Sequence, residues 1–181
     1  MLIPTSRFGN VDLSQADIIT FPEGILGFVN LRRFVLLDDP NDEIFAWLQS
    51  CEMPEVAFPV LEPELFASDY KITISKTDME SLGLKSMERV RFFSIITIPE
   101  DATQMTANMK APIVVNVIER KARQCVLQDN DLAIREPIFS RLQQRMTHRL
   151  PIKSKASDGG LAIKLPPIGE GISIDNPNPR G

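Results

Sequence analysis

Val90-Arg91-Phe92-Phe93-Ser94-Ile95-Ile96-Thr97-Ile98 is the strongest apolar run of the chain. Its β-branched and aromatic residues suit a pleated, buried surface, so it is expected to form a central strand. Downstream, Pro112-Ile113-Val114-Val115-Asn116-Val117-Ile118 reads as another strand, and Glu119-Arg120-Lys121 as a hairpin connection into Ala122-Arg123-Gln124-Cys125-Val126-Leu127. Upstream lie Ile18-Ile19-Thr20-Phe21, Phe34-Val35-Leu36-Leu37, Phe45-Ala46-Trp47-Leu48-Gln49-Ser50 and Val56-Ala57-Phe58-Pro59-Val60-Leu61. The second of these is stopped by Asp38-Asp39-Pro40-Asn41-Asp42, a cluster of turn formers. Pro59 has no N–H to give to a ladder, which points to a strand edge or a bulge. Tyr70-Lys71-Ile72-Thr73-Ile74 alternates apolar with polar, as a half-buried strand does. Short strands joined by short turns, with little helix, predict a mainly β chain: an antiparallel barrel or sandwich, written here as a compact antiparallel β-barrel-like domain.

One short helix interrupts the strands. Thr77-Asp78-Met79-Glu80 carries the capping-box pattern, and Gly83 is a natural stop. Beyond Pro137, which suits the first turn of a helix, Ile138, Leu142, Met146 and Leu150 recur every four residues, with Arg141, Arg145 and Arg149 alongside. This spacing predicts an amphipathic helix with a basic flank, ended by Pro151. Residues 151–181 are rich in Pro, Gly, Ser and Lys and hold no aromatic, so a flexible tail is expected, with Leu161-Ala162-Ile163-Lys164-Leu165 as a short binding segment. The expected division is a β-domain over 1–137, a basic helix over 138–150 and a tail over 151–181. Three readings stand for the helix: its apolar stripe packs on the barrel, it engages a partner, or it touches anionic lipid or RNA. The small number of charges weighs against the third.

A chain of 181 residues, 43% of them hydrophobic, suits one soluble domain with an appendage. No apolar run approaches the roughly 20 residues that span a bilayer, so no membrane span is expected. Met1-Leu2-Ile3-Pro4-Thr5-Ser6-Arg7 lacks the basic region and apolar stretch of a signal peptide, which makes the cytoplasm the expected compartment. The two cysteines, Cys51 and Cys125, fit no metal or redox spacing and read as small hydrophobes in strands. The net charge of −4 hides an asymmetry: residues 1–137 carry 13 Lys and Arg against 21 Asp and Glu, residues 138–181 carry 7 against 3. An acidic body repels phosphate backbones, which argues against direct nucleic-acid binding, and attracts a basic protein.

The single histidine, His148, falls in the tail helix, so a catalytic or metal site in the body would have to do without imidazole. No nucleophile elbow, Walker loop or G-x-G-x-x-G occurs. The carboxylate pairs Asp38-Asp39, Asp42-Glu43 and Glu100-Asp101 lie beside proline-containing turns and read as solvated turn residues. No catalytic, cofactor-binding or metal-binding residue is assigned, and a protein that is not an enzyme is expected. The rival reading is a small-ligand barrel enzyme of flavin type, which a yellow colour in the purified protein would mark.

Several motifs remain. Arg7-Phe8-Gly9 precedes Phe21-Pro22-Glu23-Gly24-Ile25-Leu26-Gly27-Phe28; Trp47-Leu48-Gln49-Ser50 and Ala57-Phe58 follow. Met105-Thr106-Ala107-Asn108-Met109-Lys110-Ala111-Pro112-Ile113-Val114-Val115-Asn116, Gln124-Cys125-Val126-Leu127 and Arg135-Glu136-Pro137 complete the set. In this order they resemble the FliW family of flagellar assembly factors over residues 1–137. Pro22 fixes φ and Gly24 and Gly27 permit positive φ, so Phe21 to Phe28 is expected to reverse tightly and bury a phenyl ring at each end. Ala111-Pro112 pushes Ala111 out of the helical region and starts a strand. The amides of Asn108 and Asn116 flank that turn and are expected to satisfy backbone groups locally. Residues 138–181 and Lys110 depart from the family pattern.

The resemblance implies two protein partners: the RNA-binding translational regulator CsrA, and flagellin. Binding of CsrA relieves its repression of flagellin translation, and flagellin competes in a partner-exchange loop. Such exchange requires overlapping surfaces or coupled binding energies. Asp38, Asp39, Asp42 and Glu43 are the candidate CsrA-facing residues, with a merely solvated loop as the competing reading. An apolar groove would hold an amphipathic flagellin end, and a monomer is expected when the protein is free.

Overall fold

The structure, a computed structural model, describes residues 1–147, 162, 163 and 165. The first two strands, β1 (Leu2–Thr5) and β2 (Gly9–Asp12), form an antiparallel hairpin in register from Leu2↔Asp12 to Thr5↔Gly9. The Thr5 hydroxyl donates to the Gly9 carbonyl and accepts the Phe8 N–H, both at 2.8 Å, which shapes its turn. Sequence reading misses this hairpin because Pro4, Gly9 and Asn10 dilute its β signal.

The remaining strands are β3 (Ile19–Thr20), β4 (Arg33–Asp38), β5 (Ala46–Ser50), β6 (Ala57–Leu61), β7 (Val90–Thr97), β8 (Thr106–Ala107), β9 (Ile113–Asn116), β10 (Lys121–Gln124) and β11 (Glu136–Pro137). Seven of them close a barrel in the order β7-β6-β5-β4-β3-β10-β9, and β9 returns to β7 from Val90↔Asn116 to Phe93↔Ile113. The expected mainly β, barrel-like fold is thus observed. Every pairing in the ring is antiparallel except the single β3–β10 contact, Thr20↔Lys121. The far end of β7 pairs with β8, and β8 with β11.

Strands β4, β5 and β9 are buried on both faces along almost their whole length. Phe34 and Leu36 of β4, Ala46 and Leu48 of β5, Phe93 of β7, and Ile113 and Val115 of β9 fill the interior. Their alternates face outward into three further cores. Val35 and Leu37 meet Ile3, Val11 and Leu13 of the N-terminal hairpin and its flank. Phe45, Trp47, Leu61 and Ile96 meet Met105, Ala107, Ile138 and Leu142. Val90 and Val114 meet Leu82 and Cys125. This double burial is why the strands read as continuous apolar runs and not as alternating ones.

Helix α1 (Lys76–Ser81) is capped by Ser75, whose Oγ accepts the Asp78 N–H at 3.1 Å, so the cap lies two residues before the expected Thr77. Gly83 ends it at φ +67°. Residues 71–75 form no strand; Ile72 and Ile74 pack beside α1, so their alternation reports packing without a ladder. Pro59 pairs with Trp47 of β5, while β7 joins β6 only at Val60 and Leu61, so the missing N–H sits at a local edge. Pro137 lies in β11 opposite Thr106, and helix α2 (Phe139–Thr147) begins after it. Ile138 and Leu142 of its stripe are buried in the second core; His148, Arg149, Leu150 and Pro151 lie outside the described residues.

The reversal from Phe21 to Phe28 depends on Gly24. Its φ is +68°, and a Cβ there would lie 2.6 Å from the Phe28 carbonyl oxygen and 2.6 Å from the Val29 Cα. Gly27, at φ +88°, has nothing within 4 Å of that position. Phe21 is fully buried, but Phe28 is 38% exposed, so one ring of the two is sunk in the core. The expectation of two buried rings fails because Phe28 follows the turn outward, where its ring stands edge-to-face with that of Phe58, 5.4 Å away between centroids.

Two stability contrasts follow, both checked by urea unfolding. Gly24→Ala should cost more than about 2 kcal/mol from strain plus clash, and Gly27→Ala only about 1 kcal/mol. Leu142→Ala should cost about 3 kcal/mol, because Leu142 is 2% exposed, whereas Met146→Ala, at 48% exposed, should stay within about 0.5 kcal/mol.

Candidate functional site

The turn between β3 and β4 carries apolar side chains into solvent. It is closed internally: the Gly24 N–H donates to the Phe21 carbonyl at 2.9 Å, the Phe28 N–H to the Ile25 carbonyl at 2.6 Å, and the Leu31 N–H to the Phe28 carbonyl at 3.1 Å. Ile25 points into the barrel. Leu26 and Val29 point away, 60% and 59% exposed, with Phe28 beside them. An edge-to-face aromatic chain anchors the tip: Phe28 on Phe58, Phe58 near Phe34, and Phe34 on Phe21 at 5.0 Å.

Side chains from distant segments pin this turn to the barrel. Gln124 at the end of β10 accepts the Leu26 N–H through Oε1 at 3.0 Å and donates through Nε2 to the Ala111 carbonyl at 3.1 Å. One amide thereby joins the Phe21–Phe28 motif to the Ala111-Pro112 motif. Arg123 donates to Glu23 at 3.2 Å and to the Ser81 hydroxyl at 3.1 Å, and its Nε lies 3.0 Å from Asp78 Oδ1. The Ser81 hydroxyl in turn donates to Glu23 at 3.1 Å. These contacts tie α1 to the same turn.

Asn108 and Asn116 act on the backbone. Asn108 Oδ1 accepts the N–H groups of Lys110 and Ala111 at 3.1 and 3.0 Å. Asn116 Oδ1 accepts those of Ile118 and Glu119, while Nδ2 donates to the Leu82 carbonyl at 2.8 Å. The Pro112 carbonyl accepts the Cys125 N–H at 2.9 Å, which seats the start of β9 against the β10 strand end. The exposed tip itself, Leu26 and Val29, was not singled out in the sequence, since nothing local separates an apolar residue aimed outward from one aimed in.

The four acidic residues sit at the other end of β4, in its connection to β5. Asp38 is buried as the last residue of β4, opposite Ala46. Asp39 Oδ1 accepts the Asn41 N–H at 2.9 Å, and Asp42 Oδ1 accepts those of Ile44 and Phe45 at 2.8 and 3.1 Å. Two of these carboxylates therefore shape the turn, and Glu43 is exposed. The six residues of β4, about 20 Å of strand, separate this acidic turn from the apolar one.

Elsewhere, burial pushes the Cys51 thiol up to about 11 and the Cys125 thiol up to about 12, so both stay protonated at neutral pH. Among the described residues no group of three or more His, Cys, Asp and Glu could hold a metal ion, and no helix is long and apolar enough to cross a membrane. The Arg7 guanidinium lies over the Trp47 ring, 3.6 Å from its centroid, joining the N-terminal turn to β5. Gln49 Nε2 donates to the carbonyls of Ser50, Pro54 and Val56 and so holds the β5–β6 connection.

Comparison with known proteins converges on one family. The family model described as FliW protein matches residues 2–138. A flagellar assembly factor FliW of Bdellovibrio bacteriovorus is 64% identical over 167 residues, covering 91% of this chain and 95% of that relative. One from Ruminiclostridium cellulolyticum is 35% identical, covering 80% of this chain and 99% of its own length. A crystal structure of the flagellar assembly factor FliW superposes with a TM-score of 0.71 at 30% identity, covering 77% of this chain and 97% of that one. On the family match, these identities and the shared barrel, the chain belongs to the FliW family.

Proposed function

We propose that this chain is a non-enzymatic flagellar assembly factor that works in the cytoplasm, as a monomer when free, by binding other proteins. The observation that carries this reading is the exposed apolar tip Leu26, Phe28 and Val29, held in a fixed shape by Gly24 and Gln124. A rigid apolar tip loses little entropy on binding and gains by leaving water, which suits a protein-docking surface. Flagellin is the partner proposed for it, through the apolar face of an amphipathic segment. The acidic turn Asp39, Asp42 and Glu43, with buried Asp38 at its base and within a body of net negative charge, is the face proposed for a CsrA-type regulator, whose basic RNA-binding surface it complements.

With the two faces at opposite ends of β4, exchange between partners would run through coupled binding energies and not through simple overlap. Support for flagellar work comes from relatives named as flagellar assembly factors. The residues that shape each face are this chain's own.

Isothermal titration separates the two faces. Leu26→Ser/Val29→Ser should weaken flagellin binding at least tenfold with an unchanged thermal midpoint, since both side chains are solvent-facing. Unchanged flagellin affinity would remove the apolar tip from the interface. Asp38→Asn/Asp39→Asn/Asp42→Asn/Glu43→Gln keeps the turn's acceptors and removes its charge; it should weaken CsrA binding and flatten its salt dependence. A salt slope identical to that of the parent protein would count against the acidic face.

A further inference from the structure

β3 is only two residues long, and it pairs with β4 only at Phe34 and Arg33. On that side β4 runs on without β3, from Val35 to Asp38, while its other side is paired with β5 along its length from Phe34 to Asp38. The open stretch is taken by three described residues of the C-terminal region. Ala162 forms an antiparallel bridge with Leu37, and the Ile163 N–H donates to the Leu36 carbonyl at 2.9 Å. Side chains alternate as in a strand. Ile163 and Leu165, 4% and 0% exposed, enter the barrel interior beside Phe34 and Leu36, and Ala162 faces the hairpin core beside Val35 and Leu37.

This segment lies outside the family part of the chain, which ends at residue 138. The Ruminiclostridium cellulolyticum relative matches four-fifths of this chain over almost its whole length, whereas the match to the Bdellovibrio bacteriovorus relative, over 91% of this chain, takes in the segment, so it is shared with some relatives and not with all. The ring of seven strands pairs without the segment, which is an addition to the open edge of β4. An open strand edge next to two side-chain pockets is what an extended peptide needs: backbone bonds supply affinity and the pockets supply selection.

We propose that the segment of Ala162, Ile163 and Leu165 is a built-in occupant of a peptide slot on β4, and that it competes there with an extended segment of a protein partner. The partner segment is defined by the slot: two aliphatic side chains two residues apart for the interior, with a small residue outside. Tethering gives the chain's own segment a high effective concentration, so it suppresses binding of an external strand until that strand is abundant or better matched. The slot adjoins the Asp38 end of β4, so its occupancy also bears on the acidic turn. The inference is independent of which protein supplies the competing strand.

The test uses the full chain and a fluorescent peptide with the sequence of residues 157–169, read by anisotropy. Ile163→Ser/Leu165→Ser weakens the built-in strand and should bind the peptide at least tenfold tighter than the parent chain. A peptide carrying the same two serines should not bind. A folded variant, by circular dichroism, that binds the peptide no better than the parent chain would overturn the proposal. Hydrogen exchange on the unmodified chain decides independently of whether the variant folds. The Ile163 amide should exchange at least tenfold faster than the β5-paired amides of β4, and faster still with excess peptide. Protection equal to that of β4 would make the segment a permanent stave and end the proposal.

Discussion

The pairing of β7 with β9 closes the barrel, and much else hangs on that closure. Four residue pairs, from Val90↔Asn116 to Phe93↔Ile113, join the strongest apolar run to the strand after Pro112. Closure converts an open sheet with two long exposed edges into a ring with almost none. It also fixes where the functional elements stand. Asn116, at the end of β9, reaches the Leu82 carbonyl beyond α1, and Gln124 of β10 reaches the turn after β3. If β9 moved, the apolar tip would lose its pin and α1 its seat.

The ring has one thin place. β3 contributes two residues and one parallel contact to β10, so the wall is weakest between β4 and β10. The chain uses both sides of this weakness. Below it, the Phe21–Phe28 turn reverses around Gly24 and projects its apolar tip. Above it, Ala162 and Ile163 lie along β4 and Leu165 sits in the interior. The two faces proposed for partners are therefore joined by a single strand whose edge is partly filled from the C-terminal region. Coupling between sites needs an element with two arrangements, and an edge that is filled or open is such an element.

The interior is filled by aromatic and aliphatic side chains, and the two thiols are held protonated by burial. The polar side chains of the family motifs, Asn108, Asn116, Gln49 and Gln124, are engaged with backbone groups. The motifs thus maintain shape, and the apolar and charged residues that shape leaves in solvent are the ones available to partners.

The positions of the seven barrel strands, the breaks at Asp38–Asp42 and Glu119–Lys121, the short helix and the apolar stripe after Pro137 were legible in the order of residues, because turn chemistry and local propensity act over a few positions; the alternation at 70–74 pointed to a strand that is not there. Family membership was legible too, since the motifs that carry it are contiguous. Three things waited for the tertiary structure. Which apolar residues stay exposed is one: Leu26 and Ile25 are adjacent and look alike, yet one faces water and the other the core. The N-terminal hairpin is another, because its strands are short and are stabilised by packing on Val35 and Leu37. The seat of Ile163 and Leu165 is the third, since they meet β4 across more than a hundred residues of sequence. Each is settled by contacts between distant segments, whose free energy belongs to the closed barrel and to no local stretch of chain.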